Sequence, residues 1–250
     1  LGPTSHLPIQ WQSFLDAVRR SMASGAMSDA GDLTGLDIIT QLANEISVSA
    51  PLNPLLTKAA RHLSAYLDAT SVYVCNWDAA TGQSQVLAEF ISGNDTQNEA
   101  EQSVGRSYNL REDFAEVDDW LQNTNTPLSL DLEVSDLSDS LKRYYEEHQI
   151  QSALYLPISI DNRTTGYIEA YNSREAVRYT EPQMAFGMAI ANLTATAMHN
   201  RNMYHGLQAS EQRLRGLVEN TTEPLTLLDE TGTVAYLIPA VTTVLGYPAH

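Results

Sequence analysis

The sequence predicts an α+β fold, an antiparallel sheet flanked by helices with a long helix towards the C-terminus. Three observations carry this. Two pairs of β-rich segments, 71–77 with 85–91 and 153–160 with 166–172, are each joined by a short polar turn, so each pair runs antiparallel. Segments with apolar residues at helical spacing precede the first pair and lie between the two. A run with no proline after Pro182 then extends from Glu181 to about Asn220. The order is helix, hairpin, mixed middle, hairpin, helix, which argues against a doubly wound parallel sheet.

Taken in order, residues 8–20 place Trp11, Phe14, Leu15 and Val18 on one helical face. Residues 21–35 are small, glycine-rich and polar and read as a linker, so 1–35 forms an N-terminal helix and linker. In 36–46, Leu36, Ile39, Leu42, Ala43 and Ile46 share a face, and the Pro51 to Pro54 stretch ends that helix. The next helix is expected over 55–67, with Leu56, Ala60, Leu63 and Leu67 inward. Residues 71–77 then switch to the strand period, 78–82 turn, and 85–91 return. A polar loop over 92–102, a short strand in 104–110, a helix over 113–122, a strand at 128–132 and a helix over 138–148 follow. The 153–160 strand is nearly continuously apolar, as a strand covered on both faces is. Its Pro157 cannot donate to a ladder and requires a bulge or an unpaired position. Residues 161–165 are read as the turn before 166–172.

The 250 residues carry a net charge of -17, with 43% hydrophobic and 18% charged residues. Such an acidic surface repels phosphate backbones and anionic lipid, so neither nucleic acid nor direct membrane contact is expected. The single cysteine, Cys75, permits no internal disulfide and no cysteine zinc cluster, and with no signal peptide it fits a cytoplasmic location. No apolar run reaches the roughly 18–20 residues that span a bilayer. A start at Leu1 rather than Met, and an end at His250 just after Gly246-Tyr247-Pro248, read as a piece of a longer protein.

Residues 150–158, Ile-Gln-Ser-Ala-Leu-Tyr-Leu-Pro-Ile, then Gly166-Tyr167-Ile168-Glu169-Ala170-Tyr171-Asn172 and Tyr179-Thr180-Glu181, resemble a GAF domain. That family often shows a serine, an apolar strand ending in proline, a turn, a glycine-led strand ending in asparagine, and an aromatic-Thr-Glu lead into its last helix. The resemblance covers about 36–200. A second resemblance begins at Ser210. The lead helix to Asn220, the hairpin around Asp229-Glu230-Thr231-Gly232, and Leu245-Gly246-Tyr247 look like the truncated start of a PAS domain, over 221–250, with 201–220 as a coiled-coil connector helix. GAF followed by PAS is common upstream of histidine kinases and diguanylate cyclases. The resemblance therefore implies a sensory, non-catalytic module of a bacterial signalling protein, with a sensor histidine kinase as the first choice of parent. A GAF–PAS regulator of a diguanylate cyclase and a purely structural dimerisation module without ligand are the alternatives.

Candidate sites follow. Tyr73, Cys75 and Trp77 share a strand face by alternation, and with Tyr155, Tyr167 and Tyr171 they are candidates to line the family's small-molecule pocket. Ordinary core packing is the competing reading. No cofactor is expected. Asn172 is followed by Ser173 rather than the lysine of nucleotide-binding relatives, which argues against a cyclic nucleotide. Cys75 lies in an apolar strand and is followed by Asn76, where bilin-attaching cysteines sit on a loop or helix, often before histidine. His148 reads as a helix-end histidine rather than a haem ligand. His199 and His205 are six apart, about 240° around a helix, so they form no metal pair. The acidic pairs Asp118-Asp119 and Glu146-Glu147 read as solvated helix faces. For dimerisation, Ile190, Ala197, Tyr204, Glu211 and Val218 interleave with Leu193, Asn200, Leu207 and Leu214 at a/d spacing over four heptads. A homodimer through this helix is expected, with Glu211 and Asn200 as its polar flaws.

Overall fold

The structure is a computed structural model and describes residues 29–46, 51–92, 103–133, 137–219 and 226–237. The helix expected at 8–20 lies outside them. The chain divides into two units, residues 1–199 and 200–250.

In the first unit a six-stranded antiparallel sheet has the order β3-β2-β1-β6-β5-β4. Its strands are β1 (Ser71–Trp77), β2 (Gln83–Ile91), β3 (Ser107–Asn109), β4 (Leu128–Asp131), β5 (Ser152–Ile160) and β6 (Arg163–Asn172). Helices α1 (Asp29–Glu45), α2 (Leu52–Leu67) and the first half of α6 (Glu181–Glu219) supply one core. There Leu42, Leu56, Leu63, Phe186 and Ile190 pack with Val72 and Val74 of β1, Leu154 and Leu156 of β5, and Ile168 of β6. The opposite sheet face carries a second core under α3 (Leu110–Asp113), α4 (Ala115–Asn123) and α5 (Asp139–Glu147). Alternation along each strand sends neighbouring residues to opposite cores, which is why β1 and β5 are buried almost throughout.

Several expectations need correction. The stretch read as a linker is helical from Asp29, and within it Gly35 lies against the stacked rings of Tyr66 and Phe186, where a Cβ would lie 3.3 Å from each. Helix α2 starts at Leu52, with Pro54 tolerated in its first turn, where a missing N–H costs nothing. The third strand is only Ser107–Asn109. The second hairpin turns on two residues, not five. Asp161 and Asn162 both adopt positive φ (50° and 60°), as a type I′ turn requires, and Ile160 pairs with Arg163. Pro157 stays in register opposite Tyr167 of β6 and lies past the β4 pairing, which ends at Tyr155, so no bulge forms at the proline; the register shift of this strand falls between Ile158 and Ser159.

Buried polar groups fix the ends of the elements. Ser152 Oγ accepts from Val177 N–H at 3.0 Å, tying the loop after β6 to the start of β5. Asn172 Oδ1 accepts from the amides of Arg174 and Glu175, the turn chemistry expected of that residue. Thr180 and Gln183 bond reciprocally at the start of α6, a capping box. Helix α6 runs unbroken for 39 residues. In the second unit β7 (Thr226–Leu228) and β8 (Val234–Leu237) form an antiparallel hairpin, whose turn is held by Asp229 Oδ1 accepting from the amides of Thr231 and Thr233. Among the described residues no helix is long and apolar enough to cross a membrane.

Candidate functional site

Strand β6 places Tyr167, Glu169 and Tyr171 on the face of the second core. Register sets Glu169 opposite Tyr73 of β1 on one side and Tyr155 of β5 on the other. A cleft of about 560 Å³, solvent at its mouth included, lies over them, walled by Tyr73, Tyr108, Tyr144 and Tyr171, with Arg106 and His148 also on its lining. An adjoining cleft of about 330 Å³ adds Tyr155 and Tyr167. Glu169 borders both.

A chain of hydrogen bonds runs beneath. Tyr171 donates its hydroxyl to Glu169 Oε2 at 2.7 Å, and the Cys75 thiol faces Glu169 Oε1 at 3.8 Å. The hydroxyls of Tyr155 and Tyr145 lie 3.2 Å apart, that of Tyr171 is 3.5 Å from Tyr155, and Tyr167 pairs with Ser84 at 3.0 Å. Burial raises the Glu169 carboxyl to about 7, against the hydrogen bonds from Tyr171 and Cys75 that favour its ionised form. Burial, then the charge of Glu169, pushes the Cys75 thiol well up, so it is no ready thiolate. The same two causes raise the Tyr171 phenol. Flat aromatic walls beside one half-buried carboxylate can hold a conjugated ring and accept hydrogen bonds from it.

Of the residues singled out from sequence, Tyr73, Tyr155, Tyr167 and Tyr171 border these clefts. Trp77 does not. Its indole N–H donates to Asp118 Oδ1 at 3.0 Å, and its ring lines a separate groove with Asp78 and Ser84. Asp118 is not on a solvated face: it is 4% exposed and also accepts from Arg111 Nε and Gln122 Nε2, which explains how its charge is tolerated. His148 Nδ1 lies 2.9 Å from the Tyr144 carbonyl, at the end of α5. Glu169 was not singled out from sequence. Its signal was there: the alternation that grouped the tyrosines puts Glu169 between Tyr167 and Tyr171 on an inward face, where an acidic residue is out of place. Tyr108, Tyr144 and Arg106 come from other elements and had no local signal.

On α6, Ile190, Leu193 and Ala197 are buried in the domain's own core. Tyr204, Leu207 and Leu214 are exposed, at 39%, 70% and 61%. The side chain of Val218 lies outside the described residues. Among the described residues no group of His, Cys, Asp and Glu is placed to hold a metal ion.

No curated protein matches this sequence. Among solved structures, the fold is similar to the phycoerythrobilin-bound GAF domain from a cyanobacterial phytochrome, at 17% identity, TM-score 0.58, covering 68% of this chain and 97% of that one. The phycocyanobilin-bound GAF domain from a cyanobacterial phytochrome gives the same values. The chromophore-binding domain of an unusual bacteriophytochrome from R. palustris is similar at 13% identity and TM-score 0.60, covering 72% of this chain and 64% of that one. At such identities the likeness is one of fold. It still overturns the expectation that no cofactor is involved and that a bilin can be set aside, because bilin-bound domains share this fold. Residues 51–198, which include the sheet, the clefts and most of both cores, match the GAF domain family, and the chain belongs to that family.

Proposed function

We propose that this chain is a sensory module whose tyrosine-lined cleft takes a small flat ligand of the bilin class, and that occupancy is relayed along α6 to an output elsewhere. GAF domains are regulatory, non-catalytic modules, so the chain is not itself an enzyme. The observation that carries the reading is a carboxylate, Glu169, set among Tyr73, Tyr108, Tyr144 and Tyr171 at a cleft open to solvent. Ligand sites set convergent polar groups beside aromatic surfaces, and here Glu169, Arg106 and His148 stand beside the tyrosine rings.

The residues fit a bilin as a non-covalent guest. Tyr73, Tyr144 and Tyr171 would flank its rings, Glu169 would accept from ring N–H groups, and Arg106 would face its acidic substituents. They do not fit thioether attachment, because Cys75 is buried below Glu169 and borders neither cleft. When bound, such a pigment supplies visible-light absorption.

The finer assignments rest on sequence. The hairpin β7–β8 follows α6 in the order expected of a PAS start, and a sensor histidine kinase is the preferred parent, with a diguanylate cyclase as the alternative. Exposed Leu207 and Leu214 at heptad spacing support a homodimer through the second half of α6. The competing reading is a structural dimerisation module without ligand. Titration of the full chain with biliverdin and phycocyanobilin separates the two. A saturable shift of the pigment's visible band is expected, weakened in Tyr171→Ala. An unchanged spectrum with both pigments, and no thermal stabilisation by a panel of flat heterocycles, would favour the structural reading instead.

A further inference from the structure

We infer that Glu169 is the anchoring group for a protonated or N–H-bearing nitrogen of the ligand, so that the cleft selects flat nitrogen heterocycles over neutral carbocycles of the same shape. This rests on the reading of the cleft as a ligand site. A carboxylate offers about four acceptor positions. At Glu169 one is taken by the Tyr171 hydroxyl at 2.7 Å and another weakly by a thiol at 3.8 Å. Asp118, a buried carboxylate, is treated differently by the fold. It has a guanidinium, an amide and an indole N–H around it. The hydrogen bonds to Glu169 come from Tyr171 and Cys75, and among the described residues no lysine, arginine or histidine forms an ion pair with it. Burying a carboxylate without a counter-ion is costly unless something supplies the missing charge or proton. Glu169 lies where the two clefts meet, so a ring in either reaches it. The tyrosine faces beside it attract a cationic ring further. Arg106 lines the larger cleft and is exposed, so it does not replace the missing partner in the smaller one.

The test compares two fluorescent probes of similar shape on the full chain: aminoacridine, cationic with ring nitrogen, and anthracenemethanol, neutral without it. Wild type should bind aminoacridine at least about tenfold more tightly, the scale of one charge-assisted hydrogen bond. Glu169→Gln, which keeps the shape and an acceptor for Tyr171, should lose that preference and still bind anthracenemethanol. Tyr171→Phe, which keeps the carboxylate, should retain it. Equal binding of both probes by wild type would overturn the anchor and leave the cleft standing as a site that selects by shape. Because that comparison uses wild type alone, it holds even if a variant fails to fold. Failure of both probes and of the tetrapyrroles would overturn the ligand cleft itself, and the anchor with it.

Discussion

Glu169 is the residue at which folding and function pull in different directions. Its carboxyl is raised from 4.5 to about 7 by burial, so the folded chain keeps a proton that the unfolded chain has already released. The sign follows: this group favours the folded state at low pH, and the contribution is lost as pH rises from about 4.5 through about 7. The full effect is on the order of 3 kcal/mol. Urea unfolding from pH 5 to 8 should show wild type losing stability relative to Glu169→Gln across that window, and parallel curves would contradict the assignment. An acidic residue retained at such a cost fits a group kept for a ligand rather than for the core. The residue was readable from strand alternation, but its lack of an ion-pair partner among the described residues was not. That depends on which side chains three other elements bring to the cleft.

At the scale of elements, the sheet tolerates very close packing at one point. Gly166 of β6 pairs with Asn76 of β1, and a Cβ there would run into the Cys75 carbonyl of the neighbouring strand. Backbone cannot move aside as a flexible side chain can. Gly166→Ala should therefore destabilise the domain by about 1–3 kcal/mol, the usual cost of overpacking. Chemical denaturation checks this, and an unchanged midpoint would show that β1 and β6 part more readily than the register implies. The glycine was visible in sequence as the start of a strand motif, while the clash that demands it was visible only once β1 lay beside β6. The same holds for Gly35, whose sequence neighbours looked like a linker until Phe186, 151 positions later, packed on it. By contrast the capping box at Thr180 and Gln183 is a local pattern, and the sequence alone displays it.

For the whole molecule, α6 divides into a half that belongs to the domain and a half that does not. Ile190 and Leu193 are fully committed to the first core, where each contributes about 1.5–3 kcal/mol, so they are not available to a second chain. Beyond His199 the apolar residues Met203, Leu207, Leu214 and Leu217 stand exposed at 61–70%. Spacings of four and seven residues put Met203, Leu207 and Leu214 on one stripe, and Leu217 lies three beyond. If this stripe pairs two copies, light scattering at micromolar concentration should give a dimer, and Leu207→Glu should shift it to monomer while leaving the domain's melting temperature unchanged. A monomeric wild type would remove the pairing and leave the sensory domain intact.

The sequence by itself determined the order of elements, the antiparallel pairing and the GAF family, because these depend on local periodicity, turn residues and motifs. It also determined which strand faces carry the tyrosines, since a period of two needs no tertiary information. The tertiary structure decided the rest. It separated Trp77 from the tyrosine cleft, turned Asp118 into a buried carboxylate with three hydrogen-bond donors, and left Glu169 with no ion-pair partner among the described residues. It also divided one heptad pattern into a buried part and an exposed part. Each of these depends on which distant side chains arrive at the same place, and no local pattern records that.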